Sequence, residues 1–166
     1  PYLLPLGLAE VKTQYPDAKL RISEAKTRDL LDLVRVGGID TAVVALPYDC
    51  EGLLTFPFWS EDFYWVFNKS RVETLPERIT SKELVHENLM LLTEGHCMKD
   101  HALAACRWQD STTHSMSATS LKTLVQLVIS GMGSTLVPEI ALNQLVAHDD
   151  RLGVARLDEP SPHREL

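Results

Sequence analysis

The spacing of apolar and polar residues switches repeatedly along the chain between the helical and the strand period. Apolar positions over residues 4–15 recur at helical spacing and predict an amphipathic helix. Apolar and charged residues alternate over 19–24, as in a half-buried strand, and a helix is then predicted from Thr27 to a stop at Gly37. The β-branched run over 39–46 predicts a buried strand parallel to the first. These segments together predict a βαβ unit.

The same alternation continues to the end of the chain. It predicts strands over 53–58, 63–67, 89–92, 115–118, 134–137 and 152–157, and helices over 81–86, 98–108, 120–130 and 138–146. Helices that alternate with strands in this way pack on the faces of a mostly parallel sheet. The sequence therefore predicts the α/β class.

Composition and charge exclude several classes of protein. The chain has 166 residues, 45% of them hydrophobic, with 16 Lys and Arg against 23 Asp and Glu and a net charge of -7. These values are typical of a soluble globular protein and exclude a collagen-like or disordered chain. No apolar run approaches the roughly 18 residues of a membrane span. An acidic chain is poorly suited to neutralising phosphates, so we expect no DNA binding by this segment.

The cysteine content bears on the cellular compartment. Cys50, Cys97 and Cys106 are too few for the disulfide framework of a small secreted domain. The sequence also lacks the basic start and apolar stretch of a signal peptide. We therefore expect a cytoplasmic protein without a membrane partner. Because the sequence begins with Pro1 rather than Met, we expect it to be a segment of a longer protein.

Cys97 has a setting that favours a reactive thiol. It follows the predicted strand 89–92 through a short turn and precedes the predicted helix, so unpaired backbone N–H groups at a positive helix end would surround its sulfur. His96 and Lys99 would also favour the thiolate, which is the form that attacks peroxides and disulfides, and Asp100 could relay a proton. The alternative is that Cys97 is a small buried apolar residue.

Cys106 supplies a second thiol nine residues further on. A second thiol can convert a sulfenic acid into a disulfide. Nine residues of helix rise about 13.5 Å, whereas a disulfide needs Cα atoms within roughly 7 Å. Either the two cysteines are unrelated core thiols, or bonding them forces the segment between them to refold, as a redox switch requires.

The other candidate ligand residues have simpler explanations. Thr27, Thr119 and Ser120 precede predicted helices as N-cap residues, although N–H groups near the last two could bind a small anion. A zinc site could in principle be formed by His96, Cys97, His101 and Cys106, but their spacing matches none of the common zinc motifs. We therefore expect no metal and no cofactor.

Several segments resemble the LysR-type transcriptional regulators and, among them, the peroxide-sensing OxyR subfamily. Residues 95–100, which are Gly-His-Cys-Met-Lys-Asp, and Cys106 are similar to the G-H-C-x-[RK]-D…C signature of the peroxide sensors. Residues 1–5 are similar to the start of the first regulatory-domain helix, and residues 24–27 to the E-A-x-T segment of the family. Residues 118–138 resemble its A-T-S-L-x-T-L…G-x-G-x-x-L-[LV]-P block. The resemblance covers essentially the whole chain.

The resemblance implies a fold and a set of site residues. The fold would be a regulatory domain of the periplasmic-binding-protein type (type II), with two Rossmann-like lobes and a cleft between them. Cys97 would be the peroxidatic, redox-sensing thiol and Cys106 its resolving partner, whereas Cys50 matches no functional cysteine of the family. The implied ligand-binding residues are Thr27, His96, Asp100, His114, Thr119 and Ser120, although residues 115–117 depart from the family pattern after His114.

The resemblance also implies an organisation into lobes and a set of partners. Residues 1–60 would form part of regulatory lobe I, and residues 61–166 would form lobe II with the redox cysteines. DNA would be bound only by a winged helix-turn-helix that precedes this segment in the family. The other implied partners are hydrogen peroxide, further copies of the chain in a dimer or tetramer and, in the full-length protein, RNA polymerase.

Three possible functions from different classes therefore remain. The first is a peroxide-sensing regulatory domain that switches through a Cys97–Cys106 disulfide. The second is a small-ligand effector domain of the same superfamily with incidental cysteines. The third is a thiol peroxidase enzyme, which has no reductant motif such as C-x-x-C in this sequence. The paired cysteines favour the first function, which is not that of an enzyme.

Overall fold

A computed structural model of the chain describes residues 2–93, 97–108 and 116–166. The chain divides into two compact units, Pro1–Ala42 and Val43–Leu166. Among the described residues, no helix combines the length and the apolar character that a membrane span requires.

The first unit contains two helices, α1 (Leu4–Gln14) and α2 (Thr27–Arg35). Both were predicted, and Leu31 is the buried residue of α2. The strands predicted over 19–24 and 39–46 are wrong, because neither segment is paired as a strand apart from a single bridge between Leu46 and Glu165. An alternating pattern indicates which side chains face a core, but a strand also needs a neighbouring strand to accept its hydrogen bonds.

The second unit contains most of the regular structure. Its elements are β1 (Ser60–Glu61), β2 (Phe63–Asn68), β3 (Arg78–Ile79), α3 (Ser81–Leu84), β4 (Leu89–Leu92), α4 (Cys97–Ala105), β5 (Ser117–Ala118), α5 (Leu121–Ile129), β6 (Ser134–Pro138), α6 (Glu139–Leu145), β7 (Leu152–Leu157) and β8 (Arg164–Glu165). The strand predicted over 53–58 is wrong, since the segment is unpaired and exposes Leu54 and Phe56. The predictions for β2, β4, β6 and β7 are confirmed.

Six strands form one mixed sheet in the order β3-β7-β2-β6-β4-β5. Strand β2 runs antiparallel to both of its neighbours, β6 and β7. The other three pairs, β3 with β7, β4 with β5 and β4 with β6, are parallel. The prediction of a mostly parallel sheet therefore needs correction at its centre, because periodicity carries no information about strand direction. The α/β class itself is confirmed.

The core of this unit lies where α4 and α3 cover the sheet. Phe63, Trp65 and Leu136 form part of one buried cluster with Leu103 and Cys106 of the α4 segment. Residues of α5 pack on the same sheet through the apolar face that the sequence predicted, which consists of Leu121, Leu124, Val125 and Val128. The sheet therefore provides a fixed base on which α4 rests.

We predict that Gly133→Ala destabilises the protein by about 2 kcal/mol, because overpacking beside backbone atoms cannot relax cheaply. A Cβ at Gly133 would overlap the carbonyl oxygen of Asn88, which accepts a hydrogen bond of 2.9 Å from the N–H of Ser134. Gly7→Ala is the matched control, since nothing lies within 4 Å of that position in α1 and alanine favours a helix. Denaturant unfolding should show a lower free energy of unfolding for Gly133→Ala and no decrease for Gly7→Ala.

Candidate functional site

Helix α4 positions the two predicted redox cysteines at its two ends. Strand β4 is buried along its whole length and carries the chain to the edge of the sheet, and Cys97 is the first residue of the helix that follows. The side chain of Cys97 is half-buried. The prediction that Cys97 opens a helix after a strand is confirmed. Its neighbour His96 and the predicted ligand His114 lie outside the described residues.

Cys106 lies at the opposite end of α4. Its N–H donates to the carbonyl oxygen of Ala102 over 3.1 Å, so the helical hydrogen bonding reaches this residue. The residue is 2% exposed. Burial, with a smaller contribution from the negative charge of Glu159, raises the pKa of the Cys106 thiol to about 12. Cys106 is therefore a protonated, poorly nucleophilic thiol as long as the helix is intact.

The intact helix keeps the two cysteines apart. Both are free thiols in this structure. Because the chain is helical from Cys97 to Ala105 and the N–H of Cys106 still donates into the helix, the rise separates the two cysteines by about 13.5 Å along the axis. A disulfide tolerates about 7 Å between Cα atoms. The pair can be bonded only after α4 unwinds at one end or along its length.

His101 is buried in the middle of α4. It is 5% exposed, and its Nδ1 has no hydrogen-bond partner among the described residues. Burial and the positive charge of Arg164 lower the pKa of His101, and the charge of Asp100 opposes this shift in part. The imidazole is therefore neutral at pH 7. The described residues include no group of three His, Cys, Asp or Glu side chains that could hold a metal.

The remaining predicted ligand residues occupy helix starts and exposed positions. Ser120 is the N-cap of α5, where its Oγ accepts from the N–H of Thr123 over 3.1 Å, and Thr119 beside it is exposed. The prediction that Thr27 caps α2 is wrong, because Lys26 occupies the N-cap position and no side chain caps this helix; Thr27 is its first helical residue and is half-buried. Asp100 is exposed in the first turn of α4. Capping by Ser120 is confirmed, and the ligand-binding roles stay predictions.

An open groove of about 660 Å³ borders Cys106 and Arg107 at the end of α4. Ser81, at the start of α3, donates its N–H to the Glu159 carboxylate across this groove over 3.0 Å. This hydrogen bond and the nearby charge of Arg107 hold the pKa of Glu159 below its usual value, against the effect of burial. Sequence reasoning missed Glu159 because it lies in an irregular segment far from the cysteines in sequence.

A buried ion pair also lies close to α4. Glu61 of β1 accepts from Nη1 of Arg164 in β8 over 3.1 Å, and its second oxygen accepts from the N–H of Ile140. Arg164 is the residue whose charge acts on His101. No local sequence signal links Glu61 to Arg164, because the pairing of β1 with β8 places them opposite each other.

Comparison with known proteins places the chain in a family. The model of the LysR substrate binding domain matches residues 1–166. A protein of Streptomyces viridosporus named "Probable hydrogen peroxide-inducible genes activator" is 37% identical over all of this chain and 54% of its own length. The "DNA-binding transcriptional dual regulator OxyR" of Escherichia coli is 31% identical, again over all of this chain and 54% of its own length. The "HTH-type transcriptional regulator EstR" of Acinetobacter baylyi is 37% identical over the whole chain and 55% of its own length.

Solved structures show the same likeness. A cysteine-to-serine mutant of Corynebacterium glutamicum OxyR in its hydrogen-peroxide-bound form superimposes with a TM-score of 0.87 at 34% identity, over 99% of this chain and 52% of that one. The regulatory domain of a mutant Vibrio vulnificus OxyR2 gives a TM-score of 0.87 at 30% identity, over 99% of this chain and 79% of that one. The predicted periplasmic-binding-protein type of fold is confirmed.

We predict that His101 makes the stability of the reduced protein depend on pH. Its pKa is lower in the folded state than the ordinary value of 6.5, so below pH 6.5 the unfolded state binds a proton that the folded state does not. The free energy of unfolding should therefore be highest above pH 6.5. It should decrease on acidification by at most about 1.4 kcal/mol per pH unit. Denaturant unfolding between pH 7.5 and 5.5 should show a weaker pH dependence for His101→Gln than for the wild type.

The exposed His148 offers a matched control for this measurement. The free energy of unfolding of His148→Gln should depend on pH as that of the wild type does. If His101→Gln also kept it, the burial of a neutral imidazole in α4 would not be the cause.

Proposed function

The chain belongs to the LysR substrate binding domain family, and we propose that it is the hydrogen-peroxide-sensing regulatory domain of a transcription regulator. The observation that carries the proposal is the pair of unequal thiols on α4, one half-buried at the start of the helix and one buried at its end. Two of the curated relatives described above are named for hydrogen peroxide or as OxyR. The chain spans about half the length of these relatives.

The two thiols suit two successive chemical steps. The Cys97 thiolate attacks one oxygen of hydrogen peroxide, the O–O bond breaks, and the leaving hydroxide takes a proton to become water. Cys97 is then a sulfenic acid. The Cys106 sulfur attacks the Cys97 sulfur, the S–O bond breaks, and the second oxygen leaves as water with the proton of Cys106. The pair loses two electrons, and peroxide is reduced to two molecules of water.

The second step requires α4 to unwind. Cys106 must leave the core to come within bonding distance, and leaving the core also removes the burial that raises its pKa. Unwinding removes Ala102, Leu103 and Cys106 from their buried positions. Oxidation thereby converts a chemical event at one sulfur into a change of the surface around α4, which is the change that a regulator can transmit.

The proposal extends to the whole protein. Residues 1–60 form part of one regulatory lobe and residues 61–166 the other. The full-length protein is a cytoplasmic homo-oligomer whose DNA contacts, and any contact with RNA polymerase, involve parts beyond this chain. The net charge of -7 supports the placement of the DNA contacts elsewhere. The domain reacts once for each activation and is not an enzyme.

The small-ligand alternative has some support from whole-chain identity. EstR, whose name does not mention peroxide, is as similar to this chain as the Streptomyces protein is. Overall identity therefore does not separate the two functions. The setting of Cys97 and Cys106 favours the peroxide sensor, because a ligand-binding domain has no need of a half-buried and a buried thiol at the two ends of one helix.

We predict distinct products for the two cysteine variants after one equivalent of peroxide. Cys97→Ser should form no disulfide, because the half-buried thiol at the helix start is the one that reacts. Cys106→Ser should retain a sulfenic acid at Cys97 that a nucleophilic probe traps. Mass spectrometry of digested protein identifies the modified residue, and the wild type should lose two hydrogens from the peptides of these cysteines.

Cys50→Ser is the matched control for the cysteine variants. Its peroxide titration should equal that of the wild type. Preferential labelling of Cys106 or Cys50 by the probe would contradict the assignment, and reaction of Cys97 without any disulfide would contradict the switch.

We also predict where oxidation changes backbone protection. Amide exchange should increase strongly over residues 98–108, because α4 loses its hydrogen bonds when the disulfide forms. Strands β2 and β7 should exchange equally in both states, since they lie in the middle of the sheet. Equal protection of α4 in reduced and fully oxidised protein would show that the cysteines bond without unwinding.

A further inference from the structure

Three described helices end in the same hydrogen-bonding pattern. At the end of α2 the N–H of Gly38 donates to the carbonyl of Leu33 over 2.8 Å, and at the end of α5 the N–H of Met132 donates to Leu127 over 3.0 Å. At the end of α4 the N–H of Trp108 donates in the same way to Leu103 over 2.9 Å. In all three, the preceding N–H donates to the carbonyl three residues back. This is the Schellman motif, which needs one residue in the left-handed conformation.

The left-handed residue of α4 differs from the other two. Gly37 ends α2 with a φ of 71° and Gly131 ends α5 with a φ of 73°, whereas α4 ends with Arg107 at a φ of 55°. Among the described residues, Arg107 is the one non-glycine residue with a positive φ. A Cβ in this conformation lies too close to the following carbonyl oxygen, a cost that glycine does not have.

We propose that Arg107 is a positioning residue that weakens the end of α4 and so sets how readily Cys106 is released to resolve the sulfenic acid. The inference rests on the proposed function, in which α4 must unwind. Cys106 directly precedes Arg107, and the hydrogen bonds made by the N–H groups of Cys106, Arg107 and Trp108 hold this last turn. The strain at Arg107 is relieved when these bonds open. Of the three helices that end in this motif, the one that has to unwind is thus the one whose left-handed residue is not glycine.

The position of the strain predicts which chemical step it affects. Arg107 lies ten residues after Cys97, at the far end of the helix. Attack of Cys97 on peroxide leaves the last turn in place, so this step should not depend on Arg107. Disulfide formation requires the last turn to open, so its rate should follow the fraction of molecules in which that turn is open.

The side chain of Arg107 could act by charge as well as by conformation. Its charge lowers the pKa of Glu159, and a cation also suits the C-terminal end of a helix. Two variants separate these effects, because Arg107→Ala and Arg107→Gly both lack the charge and differ in the Cβ alone. A difference between them therefore reports the left-handed conformation.

The experiment compares these two variants in the protein with Cys50→Ser, so that only Cys97 and Cys106 react. Stopped-flow measurements with hydrogen peroxide give the rate of sulfenic acid formation, and quenched samples analysed by mass spectrometry give the rate at which the disulfide forms. The first rate should be equal in both variants. Disulfide formation should be about fivefold slower in Arg107→Gly than in Arg107→Ala.

The equilibrium between the reduced dithiol and the disulfide should also depend on the residue at position 107. Thiol–disulfide exchange with dithiothreitol transfers two electrons and two protons between the protein and the reagent. Its equilibrium constant therefore gives the free energy of the oxidised protein relative to the reduced protein. Arg107→Gly should favour the reduced protein about fivefold relative to Arg107→Ala. Amide exchange of the last turn of α4 in the reduced protein should be slower in the glycine variant.

Gly131→Ala is the matched control, because it introduces the same strain at the end of α5, where the nearest atom to the new Cβ would be 3.6 Å away. It should lower overall stability and leave the rate of disulfide formation unchanged. Equal rates in Arg107→Gly and Arg107→Ala would overturn the inference, as would a fivefold acceleration of disulfide formation by Gly131→Ala. Absence of any Cys97–Cys106 disulfide in the wild type would instead overturn the proposed function.

Discussion

The continuous hydrogen bonding of α4 is the constraint on which the rest of the site depends. It keeps Cys97 and Cys106 about 13.5 Å apart along the helix, and it places one thiol near the surface and the other in the core. The same burial raises the pKa of Cys106 to about 12 and leaves His101 neutral. Each of these properties disappears when the helix opens, so one conformational change alters distance, exposure and protonation together.

The sheet holds the two strands that flank α4, the helix that unwinds in the proposed switch. The chain leaves the sheet at the end of β4 and returns in β5, and these two strands are parallel neighbours, with Leu92 opposite Ala118. The N–H of Thr93 donates to the carbonyl of Ala118 over 3.0 Å, which closes the base of the segment. Strand β4 is also paired with β6. Both strands that flank α4 are therefore held in the sheet by their neighbours.

Sequence reasoning located α4 because several signals agree there. An apolar run predicts the strand over 89–92, and polar residues follow it before the helical pattern begins. The structure places Cys97 at the start of the helix, as predicted. The strands predicted over 19–24, 39–46 and 53–58 failed because apolar spacing does not supply a pairing partner. The end of α4 was predicted three residues too late, since the left-handed residue after it is an arginine and not a glycine. The burial of His101 and the approach of Glu159 depend on tertiary contacts, which periodicity does not contain.

The two ends of α4 have separable roles in the proposed switch. The environment at the start of the helix acts on the thiol that meets peroxide, and the last turn acts on the thiol that must move. A disulfide that closes a loop of about ten residues is worth roughly 2 to 3 kcal/mol in the chain-entropy model, which is comparable to the cost of exposing a few buried side chains. If the reduced and oxidised states are this close in free energy, a left-handed arginine at one helix end would contribute a substantial part of the difference that we propose between them. Under the proposed switch, substitutions in the last turn should therefore adjust the stability of the oxidised form without changing the reaction of Cys97 with peroxide.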